Sequence, residues 1–447
     1  MANSKSTQLI RLNNKLFWDW MSPLSPDENS GIQQYIQKLA KRITETGLFV
    51  VQGNENSMRN STSIMEKLSL CMPREYFLEV QFCAYTYATI LGKVFPPLTH
   101  SVGELAYIEW LLYVEPDYRR YRDHLVHMFK VAFTGDQFLS NQTLLDEVSA
   151  KQFESVHFQH WCKARQLHSI EQLWRDEENE ENEKEKKEIV KIAFFIAALF
   201  HDFGYGYFFL RKYKERLHKL YRWLPLDADS ADIHAHGTRK LLHSLPAEFV
   251  RNYHGWLNSK KNCDIHANSS VVGFFRDCLP LNHSAASTLF ILDIAEWLWD
   301  SGALSQELYV AFQIAAEACL IHDMTGKDSW MHLSPDRIGH EHFLHSDDHE
   351  KVPLAYLLIL ADELSLWGRY SLISQAKNNK IIYALNKKNV LKEIKICFST
   401  KSNDKKVEIE ALPKNLGLKE TIEKLKPFQN DPRSKDRYLL DYRIDVL

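Results

Sequence analysis

The sequence predicts a mainly α protein: a helical core, a helical N-terminal cap and a small C-terminal α+β unit. Three observations carry that expectation. From Gly31 onward apolar residues recur at three and four, as in Ile32, Tyr35, Ile36, Leu39 and Ile43, which is the spacing of one helix face. Apolar stretches at 193–200, 311–321 and 354–361 read as helices with little solvent face. Alternation with period two, the signature of a half-buried strand, begins only after about residue 375.

Composition narrows the class. A chain of 447 residues is long enough for a large core and for two or three domains. Hydrophobic content of 45% and charged content of 25% are those of an ordinary globular protein. A net charge of -3 provides no basic excess to attract nucleic acid. Seven Cys, an odd number with no CxxC pair, argue for reduced, mostly buried thiols rather than a disulfide framework. Residues 1–14 are polar and lack an apolar signal core, and no run approaches the roughly 18 apolar residues that span a bilayer. The expectation is a cytoplasmic protein with no membrane partner and no strong nucleic-acid signal.

Taken in order, residues 1–30 read as irregular, because Ser, Asn and Pro interrupt Leu16-Phe-Trp-Asp-Trp20. The remainder of 1–115 reads as a helical cap without visible chemistry. A core domain is assigned to 116–375. It opens on Arg122-Asp-His-Leu-Val-His127, where His124 and His127 lie three apart and share a helix face. The charged run at 176–188 reads as a solvated loop leading into an exposed helix turn. The helix that follows is apolar from Ala193 to Phe200 and ends on His201-Asp202-Phe203-Gly204. Two ionisable groups at the end of such a helix are costly to bury unless a cation or partner satisfies them.

The stretch from Gly204 to His283 is long enough to roof a pocket. Small residues follow His283 in His283-Ser-Ala-Ala-Ser287 and let that helix pack closely on its neighbours. A second apolar helix ends on His322-Asp323, and a His-rich loop follows with His332, His340, His342, His345 and His349. That loop reads as a polar rim rather than a further metal site. Pro353 suits a first helical turn, and Asp362 then sits on a strongly apolar helix, where a lone carboxylate is expensive. Within the C-terminal unit, 376–447, segments 392–398 and 406–410 read as a hairpin. A helix at about 414–426 and a short strand near 438–444 follow.

Each of these His and Asp residues alone is more often structural than functional. Their coincidence on five helices is harder to attribute to packing. His127, His201 with Asp202, His283, His322 and Asp362 supply imidazole nitrogens and carboxylate oxygens in a number suited to two divalent ions. The donor set favours Mn, Fe, Ni or Zn, with Mg as a further option. The absence of a thiolate argues against a closed structural zinc site. HExxH, the His-x-Glu with Pro-Cys-x-x-Cys of deaminases, a dinucleotide fingerprint around Gly204 and Gly206, and a P-loop around Thr325-Gly-Lys-Asp328 are all missing.

The order and flanks of these residues resemble the HD-domain superfamily of metal-dependent phosphohydrolases and phosphodiesterases. The matching segments are Arg122-Asp-His-Leu-Val-His127, Ala198-Leu-Phe-His-Asp-Phe-Gly-Tyr205, His283-Ser-Ala-Ala-Ser287 and Leu357-Leu-Ile-Leu-Ala-Asp-Glu-Leu364, within about 120–370. The resemblance implies an all-helical domain with His127, His201, Asp202 and Asp362 as metal ligands. His283 and His322 look like the additional ligands of its dinuclear subgroup, similar to the HD-GYP phosphodiesterases. It implies hydrolysis of a phosphoester or phosphoanhydride, of a nucleotide or other phosphorylated small molecule. Asp202 is expected to be required for turnover, and His322 or Asp323 is a nearby candidate to shuttle a proton to the leaving oxygen.

Two departures stand out. Tyr205 occupies the place of the Lys that often follows the His-Asp-x-Gly turn, so phosphate contacts fall to Arg211, Lys212 or Lys327. No Gly-Tyr-Pro follows His322, which leaves cyclic dinucleotides unsupported as substrates. His124 competes with His127 for the first ligand position, and His234 and His236 compete with His283. The competing expectation is a nucleotide sensor or scaffold with little turnover. A homo-oligomer is compatible with either.

Overall fold

Helices dominate the described residues, and they are built around one long central helix. The computed structural model describes residues 7–21, parts of 79–87, 124–154, 179–205, 283–322 except 303, 353–367 except 366, and the strand residues 371–377, 380–386, 393–401, 404–412, 438–439 and 442–446. Their order is β1 (Thr7–Asn13), α1 (Asn14–Met21), α2 (Leu125–Leu139), α3 (Gln142–Glu154), α4 (Glu180–Phe200), α5 (His283–Asp300), α6 (Gln306–His322) and α7 (Pro353–Leu364). Strands β2 (Ser371–Lys377), β3 (Lys380–Asn386), β4 (Glu393–Lys401), β5 (Asp404–Leu412), β6 (Tyr438–Leu439) and β7 (Tyr442–Val446) follow. No helix among the described residues is long and apolar enough to cross a membrane.

The charged run becomes helix rather than loop. Helix α4 starts inside it, at Glu180, because Asn179 accepts a hydrogen bond from the Glu181 amide at 3.0 Å and caps the open end. Glu180, Glu181 and Glu183 in the first turn also complement the helix dipole. Lys186 reaches back to Glu183 at 2.6 Å, and Lys187 meets Asp146 of α3 at 2.8 Å. Beyond these turns Ala193, Phe194, Ala197, Ala198, Leu199 and Phe200 are buried.

Helix α4 packs against α2 and α6, α5 lies along α6, and α7 closes the bundle between α2 and α6. The contact of α2 with α4 depends on Gly135, where an added Cβ would lie 1.7 Å from the Phe194 ring. Fully buried Phe17 of α1 contacts Phe133 of α2 and Trp367 after α7, at centroid distances of 6.0 and 5.6 Å. Lys130 is also buried, with its ammonium 5.2 Å from the centre of the Trp367 ring, an attraction to the ring face.

The sheet departs from the sequence reading at the N-terminus. Residues 7–13 are a strand, not irregular, and β1 pairs antiparallel with β4 from Thr7↔Ser399 to Asn13↔Glu393. The five-stranded sheet runs β1-β4-β5-β7-β6, with β5 and β7 parallel. Ile10 and Leu12 of β1 face Ile396 and Ile394 in register, and all four are buried. Phe138 of α2 meets Phe398 of β4 at 5.8 Å, so this sheet seats against the helices. The hairpin expected at 392–410 is present as β4–β5. A second hairpin, β2–β3, begins at Ser371, ahead of the expected change of pattern. The expected helices between 31 and 78, the 206–282 insert, the 332–349 loop and the 414–426 helix lie outside the described residues.

Candidate metal centre

Helices α4 and α6 end in the same way. An α-helix leaves its last carbonyls without intrahelical partners. His201, directly after α4, turns its Nδ1 onto the Ala198 carbonyl at 2.7 Å, and His322, the last residue of α6, turns its Nδ1 onto the Cys319 carbonyl at 2.6 Å. A carbonyl only accepts, so both Nδ1 atoms carry the proton, and Nε2, the lone-pair nitrogen whenever the ring is neutral, faces forward. Cys319 Sγ donates to the Ala197 carbonyl at 3.3 Å, which ties the two helix ends together.

His127 of α2 is likewise held through Nδ1, by a hydroxyl. Ser365 Oγ donates to the Asp362 carbonyl at 2.9 Å and lies 2.8 Å from His127 Nδ1, which therefore donates to it. His127 Nε2 then lies 2.6 Å from Asp362 Oδ1. From α5, His283 Nε2 sits 3.4 Å from Asp202 Oδ1 and 3.2 Å from His322 Nε2. Asp202 stands at the centre. Its Oδ2 lies 3.8 Å from His127 Nε2, while its Oδ1 lies 3.5 Å from His201 Nε2 and 4.0 Å from His322 Nε2.

Six expected ligands from five helices therefore share one locus. Donor atoms of His127, His201 and Asp362 lie within 4.8 Å of one another, as do those of His201, Asp202 and His322. His201 Nε2 is buried without a hydrogen-bond partner among the described residues, a condition that calls for an explanation in a folded protein. The His283 and His322 Nε2 atoms, 3.2 Å apart, either share a proton in the metal-free protein or turn both lone pairs onto a bound cation. A divalent cation would satisfy all three nitrogens, so the residues fit the group that the sequence implied. One imidazole lone pair serves one ion, so His201 cannot complete both groups at once. The two oxygens of Asp202, turned toward different imidazoles, suit a bridging carboxylate.

The electrostatics agree. Burial alone would raise the pKa of Asp202, yet imidazoles of His201, His283 and His127 hold it well below the ordinary carboxylate range. Burial opposes the same shift at Asp362, where the His127 hydrogen bond and the charges of His127 and His201 prevail. Both carboxylates are thus kept anionic by the imidazoles around them, a role that a bound divalent cation would take over. The Asp362 side chain is 29% exposed whereas that of His201 is at 0%, so solvent reaches the centre from the α7 side.

The α4–α5 junction fixes the geometry. Gly204 N donates to Ser287 Oγ at 2.8 Å, and Ser287 Oγ donates to the His201 carbonyl at 2.7 Å. A Cβ on Gly204 would lie 2.0 Å from the His283 carbonyl oxygen, so only glycine permits this approach. The small residues after His283 were legible as a packing device, but the Ser287 bridge was not. Ser365 was not singled out either; its one local signal is a hydroxyl three residues after Asp362.

His124 and His127 part company. His127 belongs to the cluster, whereas the His124 ring packs against Tyr205 at 4.6 Å. Asp323, Arg211, Lys212, Lys327, His234 and His236 lie outside the described residues. Comparison with family models, with curated proteins and with solved structures yields no match to this chain.

Proposed function

We propose that this chain is a metal-dependent phosphohydrolase or phosphodiesterase that cleaves a phosphoester or phosphoanhydride bond, with a nucleotide as its substrate class. The observation that carries the reading is the convergence of His127, His201, Asp202, His283, His322 and Asp362, with Nε2 atoms and carboxylate oxygens turned to one point. His127, His201 and Asp362 would hold one divalent ion. His283 and His322 would hold a second, with Asp202 shared between them. Two such ions would supply a water acidic enough to attack phosphorus near neutral pH, and positive charge opposite the phosphoryl oxygens.

The chain's own residues do the rest. Ser365 and the carbonyls of Ala198 and Cys319 keep three imidazoles in the tautomer that presents Nε2. Buried apolar residues of α4 and α6 back the cluster, and Asp362 is its most exposed member. With a cation bound, His322 Nε2 would serve as a ligand and would have no proton to pass on. The proton for the leaving oxygen therefore comes from solvent or from a residue beyond the cluster.

The test is metal analysis of the purified protein, followed by hydrolysis assays across a nucleotide panel with added Mn. Asp202→Ala is expected to abolish both metal loading and turnover; full activity in that variant would refute the assignment. A second reading is favoured by Tyr205, which stands where the resemblance places a phosphate-binding cation. On that reading the centre binds a nucleotide without consuming it, and bound metal with no turnover would select it.

A further inference from the structure

Three imidazoles of the cluster are oriented through Nδ1, each tied to an oxygen: His127 to Ser365, His201 to Ala198 and His322 to Cys319. His283 has an aromatic ring laid against its face. The Tyr205 ring lies 4.0 Å from the His283 ring with only 17° between their planes. We propose that Tyr205 is a positioning residue that holds His283 in the orientation the second ion requires. This rests on the metal-centre reading above.

The chain delivers the phenol ring there by a short path. After α4 the backbone keeps turning, with Phe203 N donating to the Phe200 carbonyl and Tyr205 N to the Asp202 carbonyl, both at 3.0 Å. Gly204 lets this turn touch the first residue of α5, and the next residue, Tyr205, then lies over His283. His124 packs on the same phenol at 4.6 Å, tilted by 51°, so α2 also restrains it. With a flat ring at 4.0 Å, the imidazole cannot swing about its Cβ–Cγ bond without displacing the phenol. That restraint keeps His283 Nε2 3.4 Å from Asp202 Oδ1 and 3.2 Å from His322 Nε2.

The chemistry of the pair points the same way. A metal-bound imidazole is electron-poor, and the face of an aromatic ring is electron-rich. The stack therefore favours the metal-loaded form of His283 over the free one. Only the flat ring is needed, so Phe should replace Tyr and an aliphatic side chain should not. Tyr205 thus has a use at the position where the resemblance places a Lys.

The experiment is calorimetric titration of wild type, Tyr205→Phe and Tyr205→Leu with Mn, alongside electron paramagnetic resonance of the loaded proteins. Wild type and Tyr205→Phe are expected to take up two ions and show the signal of a coupled pair. Tyr205→Leu should bind the first ion unchanged and the second about tenfold more weakly, the lower end of what groups behind a ligand contribute. Its resonance at one equivalent of Mn should be that of an isolated ion. Equal binding of both ions by Tyr205→Leu would overturn the proposal, as would parallel weakening of both sites or loss of the second ion in Tyr205→Phe. Should Tyr205→Leu fail to fold by circular dichroism, Tyr205→Met is read by the same criteria. A wild type that takes up one ion overturns the role of Tyr205 alone, and one that takes up none overturns the metal centre with it.

Discussion

Replacing Ser365 by Ala removes one oxygen from behind the His/Asp cluster and leaves every expected ligand in place. In the native chain that oxygen accepts from His127 Nδ1 at 2.8 Å and donates to the Asp362 carbonyl at 2.9 Å. The carbonyl keeps a second partner, because the Ser365 amide also donates to it at 3.2 Å. The loss therefore falls on the His127 ring, which is buried. Depriving a buried donor of its acceptor costs about 1–3 kcal/mol. Against a typical stability of about 5–15 kcal/mol the variant still folds.

The same change releases the tautomer and pose of His127. Partners of this kind commonly contribute about 10–100-fold in metal affinity, which corresponds to about 1.4–2.8 kcal/mol. The two figures concern different equilibria, folding of the metal-free chain and uptake of the ion, so each is measured separately. The assay is Mn titration of Ser365→Ala beside wild type, with chemical denaturation of both metal-free proteins. The expected result is weaker binding at the ion served by His127, with a modest loss of stability. Unchanged Mn affinity in the variant would refute the argument that the hydroxyl orients His127.

Two further predictions follow from contacts around the centre. Gly204→Ala would bring a Cβ to 2.0 Å from the His283 carbonyl oxygen and 2.8 Å from its carbon. Backbone atoms yield little, so thermal unfolding should report a loss of about 1–3 kcal/mol, together with impaired uptake of the second ion; a variant with native melting and native metal stoichiometry would contradict the close approach. Tyr87 is buried and donates to the Leu199 carbonyl at 3.0 Å, and burial, with the nearby Cys319, holds its pKa well above the ordinary value of 10.0. A raised folded pKa stabilises below the unfolded value and loses that contribution as pH rises toward the folded one. Denaturation midpoints should thus fall above about pH 10, and more steeply in wild type than in Tyr87→Phe; parallel curves for the two proteins would count against the assignment.

What the sequence alone determined is local. Each apolar run ending on His201-Asp202 or His322-Asp323 marks a helix end. Asp362 in its apolar stretch marks a carboxylate drawn toward a partner, and the alternation at 393–412 marks a hairpin. These were readable because helix period, strand period and the cost of burying charge act over a few residues. Even so, local polarity misread the charged run, where the Asn179 cap starts α4 two turns earlier than expected.

Tertiary structure decided the rest. Residues 7–13 become a strand because Ile10 and Leu12 find Ile396 and Ile394 nearly the whole chain away, and no short window contains both partners. His124 and His127 share one helix face, and only the positions of α4 and α7 assign the second to the cluster and the first to Tyr205. Ser287 and Ser365 acquire their work from helices brought beside them. Residue type and spacing thus name the donors, whereas their shared locus depends on how separate helices pack, a property of long-range contacts.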